Sequence, residues 1–173
     1  MSALISDKSD KTSTWSRPIA PSIQVSQRDS STNKRWRVLL VDDDARIRTV
    51  LRGLLEEHAD LQVVGEAADG EEAVGLAEQH RPDVIVMDVH LPRVNGVDAT
   101  RYINKKLPQS MIIGVSCLYT PHTYNAMLAA GAVAFVCKED VVGALYKTVE
   151  FAMRAYRPKR LLTSGDPEVD GQR

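Results

Sequence analysis

Four places in this sequence carry side chains suited to holding a divalent cation or a phosphoryl group: the run Asp42-Asp43-Asp44, the lone Asp88, Ser116 and Lys138. Carboxylates crowded together repel, and burial raises their pKa values unless a cation sits among them. Oxygen-only ligands with room for water suit Mg²⁺, with Mn²⁺ as the alternative ion. An aspartate can attack phosphorus to give an aspartyl phosphate. A metal then neutralises charge on the transferred group, while a lysine and a hydroxyl hold its remaining oxygens. Taken singly, each residue has a plainer reading. An Asp triplet is usually a solvated loop, a serine a buried hydroxyl bonded to backbone, a lysine a surface charge. Asp44 suits the first turn of a helix, where the dipole favours an acid.

The elements that would bring these residues together follow from apolar spacing. Arg37 to Val41 is a short apolar run, as expected of a strand buried on both faces, and Ile47, Val50, Leu51, Leu54 and Leu55 then recur at helical spacing. Residues 61–67 form a second strand, followed by a helix with Ala73, Leu76 and Ala77 on one face. Val84 to Met87 is the third run. Asn95-Gly96 marks a turn, and Val97, Thr100 and Ile103 belong to the next helix. Residues 111–115 make the fourth strand, and Pro121 opens a helix with Tyr124, Met127 and Leu128 inward, which Gly131 closes. Residues 132–137 make the fifth strand. Asp140 can cap a last helix whose inward face is Val142, Leu145, Val149 and Ala152. Five β–α units in succession imply an α/β fold, a parallel sheet with helices on both faces.

In such sheets ligands bind beyond the carboxyl ends of the strands. Asp42-Asp43-Asp44, Asp88, Ser116 and Lys138 follow strands one, three, four and five. The end of strand two, Ala67-Ala68-Asp69-Gly70, offers less. Asp88 is the best nucleophile, since it follows the third strand with the acids of the first beside it.

Val41-Asp42-Asp43-Asp44, the segment Met87-Asp88-Val89-His90-Leu91-Pro92 through Gly96, Ser116, and Val136-Cys137-Lys138 together resemble receiver domains of two-component response regulators. Any one motif is weak; the ordered set, each at a strand end, is specific. The resemblance covers residues 35–156. It implies a doubly wound (βα)5 sheet in the flavodoxin-like order 2-1-3-4-5 and a Mg²⁺-dependent phosphoryl acceptor at Asp88. Such a protein is no conventional enzyme, since it catalyses only its own phosphorylation and dephosphorylation. By the same resemblance Asp42, Asp43, Asp88 and the backbone carbonyl of His90 hold the metal, and Ser116 and Lys138 grip the phosphoryl group. Phe135 is the aromatic that reports the state of Ser116. The donor is a histidine kinase or a phosphotransfer protein, and the output is an unknown protein or a second copy of the chain. His90 and Leu118 fall where members of this family tune how long the phosphoryl group survives. Glu139 stands where many receivers have a proline after the lysine, so no cis peptide is expected. Cys117 replaces a residue that is commonly small.

Residues 1–34, rich in Ser, Thr, Lys, Asp, Gln and Pro, read as a disordered extension, and residues 157–173 as a flexible tail. Too few residues follow Tyr156 for a DNA-binding domain, so a single-domain regulator is expected. Net charge is −1, which gives no strong pull toward nucleic acid or anionic membrane. Arg154, Arg157, Lys159 and Arg160 suit a solvated helix end. No apolar run spans a bilayer and no secretory layout opens the chain, so a cytoplasmic protein is expected. Cys117 and Cys137 read as small buried hydrophobes. His58, His80 and His122 read as helix ends or loops. Two other functions compete: a degenerate receiver that only binds, and a phosphatase of the haloacid-dehalogenase type using Asp42 in an Asp-x-Asp motif. Arg46 stands where that motif expects Thr or Val.

Overall fold

Apolar runs too short for helices become the strands, and each hands over to a helix through a capped turn. The computed structural model describes residues 35–161, with side chains through 155; residues 1–34 and 162–173, read above as an extension and a tail, lie outside the described residues. The order is β1 (Trp36–Val41), α1 (Ala45–Glu56), β2 (Leu61–Ala67), α2 (Gly70–His80), β3 (Val84–Asp88), α3 (Gly96–Lys106), β4 (Met111–Ser116), α4 (Pro121–Ala130), β5 (Ala134–Cys137) and α5 (Val141–Leu161). All strand pairs are parallel, in the order β2-β1-β3-β4-β5. This is the flavodoxin-like order, and among the described residues there is no cis peptide bond.

Strand side chains alternate between faces, and the sheet therefore builds two cores. Val38, Leu40, Val86, Ile113 and Val136 meet Leu51 and Leu55 of α1 and Leu145 and Val149 of α5. Leu39, Val41, Ile85, Met87 and Ile112 meet Ala73 and Ala77 of α2, Ile103 of α3 and Met127 of α4. β3 and β4 are buried along their whole length, so Asp88 and Ser116 are carried on enclosed strands.

Several sequence expectations shift. Val142 is 73% exposed while Val141 is buried, so α5 turns inward on Val141, Leu145, Val149 and Ala152. A 3-10 turn at Lys138–Asp140 precedes α5 and sets that phase. Leu128 is exposed rather than inward, while Met127 is fully buried. β5 begins at Ala134, two residues later than expected, and α5 continues through Leu161, so five residues of the expected tail are helix. Asp44 is the N-cap of α1, accepting the Arg46 N–H, rather than a first-turn acid. Gly131 closes α4 at φ +112°, as its sequence position implies. Both cysteines are free thiols; Cys117 is exposed where the chain bends after β4, and Cys137 is half-buried at the end of the edge strand β5, which corrects the reading of both as buried hydrophobes. Arg154 pairs with Glu150 along its own helix.

Candidate functional site

Strand ends deliver three acids and one ammonium to the same rim. Asp42 and Asp43 follow β1, Asp88 ends β3, and Lys138 follows β5. The Lys138 ammonium lies 2.6 Å from Asp42 Oδ2 and 2.8 Å from Asp88 Oδ2. One carboxylate oxygen from each of Asp42, Asp43 and Asp88 lies within 4.8 Å of the others. Asp42 and Asp88 are buried, whereas Asp43 faces solvent.

Burial pushes the Asp42 carboxyl above its ordinary value of 3.8, and the bonds from Lys138 and the Asp44 N–H offset only part of that rise. For Lys138 the balance falls the other way. Burial alone would lower it, but bonds to Asp42 and Asp88 outweigh the burial and hold it above 10.5. A firmly charged ammonium therefore neutralises two buried acids. Asp42 Oδ2 is buried, and what it meets there is the Lys138 ammonium, in an ion pair at 2.6 Å. An all-carboxylate set fits a hard divalent cation such as Mg²⁺.

Local structure holds Asp88 in place. Its Oδ1 accepts the His90 N–H at 3.2 Å, and Asn95 caps α3 by accepting the Asp98 N–H. Gly96 opens that helix against the Asp88 carbonyl oxygen, so closely that a Cβ there would collide with it. The sequence marks Asn95-Gly96 as a turn; the reason for the glycine is this approach of backbone to backbone.

Ser116 ends β4, fully buried and one position beyond the pairing of Asp88 with Val115. Its Oγ accepts the Leu118 N–H at 3.2 Å, donates toward the Leu118 carbonyl at 3.2 Å, and lies 3.2 Å from His90 Nδ1. His90 and Leu118, each flagged above by sequence position, thus meet at the Ser116 hydroxyl. Phe135 pairs in register with Gly114 and packs among Tyr119 and Tyr124 at centroid distances of 6.0 and 5.9 Å. It lies on the α4 side of β5, while Lys138 reaches into the acids.

Some contacts of the rim are not apparent from sequence. Asp69, at the end of β2, is buried; its Oδ1 accepts the N–H groups of Glu71 and Glu72, and its Oδ2 pairs with Arg93. Arg93 sits in the loop after Asp88 with φ +60°. Asp69 before a helical run is legible as a cap, but nothing in the sequence points to Arg93. Arg48 and Glu66, which brace the acidic loop from α1 and β2, were likewise not apparent.

Residues 38–150 match the family model of the response regulator receiver domain. The chain is a member of that family. Among similar proteins, a protein-glutamate methylesterase/protein-glutamine glutaminase of Pyrococcus abyssi is 43% identical over 110 residues, covering 62% of this chain and 29% of that protein. An uncharacterized transcriptional regulatory protein of Bacillus subtilis is 34% identical over 128 residues, covering 74% of this chain and 59% of that protein. This receiver chain therefore spans less than two thirds of the length of either relative. The response regulator domain of Thermotoga maritima CheB superposes with a TM-score of 0.66 at 36% identity, covering 70% of this chain and 98% of that one. A LuxR-family two-component response regulator from Aurantimonas superposes with a TM-score of 0.68 at 31% identity, covering 70% and 87%. Membership places the receiver in phosphoacceptor signalling and sets aside the phosphatase reading. Among the described residues, no helix is long and apolar enough to cross a membrane.

Proposed function

We propose that this receiver accepts a phosphoryl group on a carboxylate oxygen of Asp88, in a Mg²⁺-dependent transfer from a histidine kinase or phosphotransfer protein. The observation that carries the reading is the Lys138 ammonium between Asp42 and Asp88, with three carboxylates gathered around it. Asp42, Asp43, Asp88 and the His90 carbonyl would hold Mg²⁺, or Mn²⁺ in its place, which supplies neutralisation of charge on the transferred group. Asp88 attacks phosphorus, the bond to the donor nitrogen breaks, and the donor imidazole leaves with the electron pair. Lys138, already 2.8 Å from Asp88, holds a phosphoryl oxygen. The Ser116 hydroxyl turns from Leu118 and His90 to another phosphoryl oxygen, and Phe135 repacks beside it.

That movement shifts a two-state equilibrium and changes the surface formed by α4, β5 and α5, which binds or releases an output protein or a second copy of the chain. We further propose that the receiver works in the cytoplasm.

Incubation of the full chain with Mg²⁺ and acetyl phosphate, followed by intact mass measurement, tests the reading. A gain of one phosphoryl group that needs both Mg²⁺ and Asp88, and is lost in Asp88→Asn, is the expected result. No gain where a known receiver is labelled would favour a degenerate receiver that only binds.

A further inference from the structure

α1 reaches back to the acidic loop through one side chain. Arg48 donates from Nη1 to the backbone carbonyl of Asp42 at 2.6 Å and from Nε to Glu66 Oε2 at 3.1 Å. The other oxygen of Glu66 takes Arg52 Nε at 2.7 Å, and Arg52 also bonds Glu56 at 2.7 Å. Only 16% of the Arg48 side chain is exposed. The guanidinium is thus held by β2 and directed at a single carbonyl.

That carbonyl belongs to the peptide plane joining Asp42 to Asp43, and a peptide plane moves as a rigid unit. The loop is also tied by Asp42 N–H to the Ala67 carbonyl at 3.1 Å and by Asp44 N–H to Asp42 Oδ1 at 3.0 Å. Asp43, the exposed acid of the set, has its backbone nitrogen in the plane that Arg48 grips. A charge-assisted bond from a planar, pre-organised donor is among the stronger ways to fix such a plane.

We propose that Arg48 is a positioning residue for the cation site: through the Asp42 carbonyl it sets the direction in which Asp43 presents its carboxylate. The proposal rests on the reading of Asp42, Asp43 and Asp88 as the Mg²⁺ ligands. Its sign is distinctive. A guanidinium near a cation site opposes cation binding by charge alone, so removing it should tighten binding if charge were its only effect. A positioning role demands the reverse.

Titration calorimetry of the full chain with MgCl₂ tests this on wild type, Arg48→Met, Arg48→Lys and Asp43→Asn. Arg48→Met is expected to weaken Mg²⁺ binding roughly tenfold, as loss of a group orienting a metal ligand does. Arg48→Lys keeps the charge but lacks the fork that serves Asp42 and Glu66 together, so it should fall between wild type and Arg48→Met. It decides the matter should Arg48→Met fail to fold. At saturating Mg²⁺, the maximal rate of labelling by acetyl phosphate should return to the wild-type value. Unchanged or tighter Mg²⁺ binding in the folded Arg48 variants, with only a lower melting temperature, would overturn the role of Arg48. A wild-type chain that binds no Mg²⁺ sensitive to Asp43→Asn would overturn the site reading and this inference together.

Discussion

Lys138 stands where a metal-free receiver most needs a cation, with its ammonium against two buried carboxylates. Removing one partner of a buried ion group leaves uncompensated charge, which destabilises more than the pair itself stabilises. Lys138→Met is therefore expected to lower the stability of the metal-free chain by about 3 kcal/mol. Added Mg²⁺ should restore more stability in this variant than in wild type, because it meets acids that have lost their counter-ion. Urea unfolding with and without Mg²⁺ checks both parts; an equal effect of Mg²⁺ on the two proteins would mean that Lys138 is not the stand-in cation. Asp88, Lys138 and Ser116 were legible in the sequence because each follows an apolar run directly. The contact of His90 Nδ1 with Ser116 Oγ was not, since side-chain direction in a loop carries no periodicity.

The β2–α2 turn does more than its sequence suggests. Asp69 caps α2 and also receives Arg93 from the loop that follows Asp88, and Gly70 lies so close to the Val94 carbonyl that a Cβ would collide with it. The two loops are fastened together beside the acids. Asp69→Ala is expected to cost about 1–2 kcal/mol through the lost cap. It should also speed amide hydrogen exchange across residues 91–95, a change that a lost cap on α2 alone would not produce. Protected amides in that loop would assign Asp69 to α2 only. Element boundaries were legible where the end signals are strong, as at Pro121 and Gly131. They were not at α5, where Val141 and Val142 are adjacent and equally apolar. Only the turn at Lys138–Asp140 decides which of them faces β5.

For the whole molecule, if Asp42 holds the metal as proposed, proton and metal compete there. Its folded pKa is raised, so the metal-free fold keeps a proton there at pH values where the unfolded chain has lost it. That contribution to stability is full below 3.8 and fades as pH rises through the raised value. Glu66 has the opposite sign. Burial would raise it, but Arg52 and Arg48 together hold it below 4.5, so its contribution is present above that value and is lost as pH falls through the folded pKa. The proposed metal site needs the Asp42 carboxylate. The rise in melting temperature caused by Mg²⁺ is therefore expected to grow as pH rises from 3.8 through the raised value of Asp42, following mass action on the folded state. Taking the difference between melts with and without Mg²⁺ removes the Glu66 contribution, which is common to both. A constant increment across that range would exclude Asp42 as a titrating ligand.

Alternation of strand and helix periods, read from the sequence alone, determined a parallel sheet, because burial on both faces leaves a pattern in the order of apolar residues. The same pattern placed Asp42, Asp43, Asp88, Ser116 and Lys138 at strand ends, and with them the class of chemistry. The tertiary structure decided what lies across the rim: the reach of Lys138 to Asp42 and Asp88, the hold of Arg48 on the Asp42 carbonyl, and the clasp of Arg93 on Asp69. Such contacts join residues far apart in the chain. They depend on strand order, helix phase and loop direction together, and none of these leaves a local mark in the order of the amino acids.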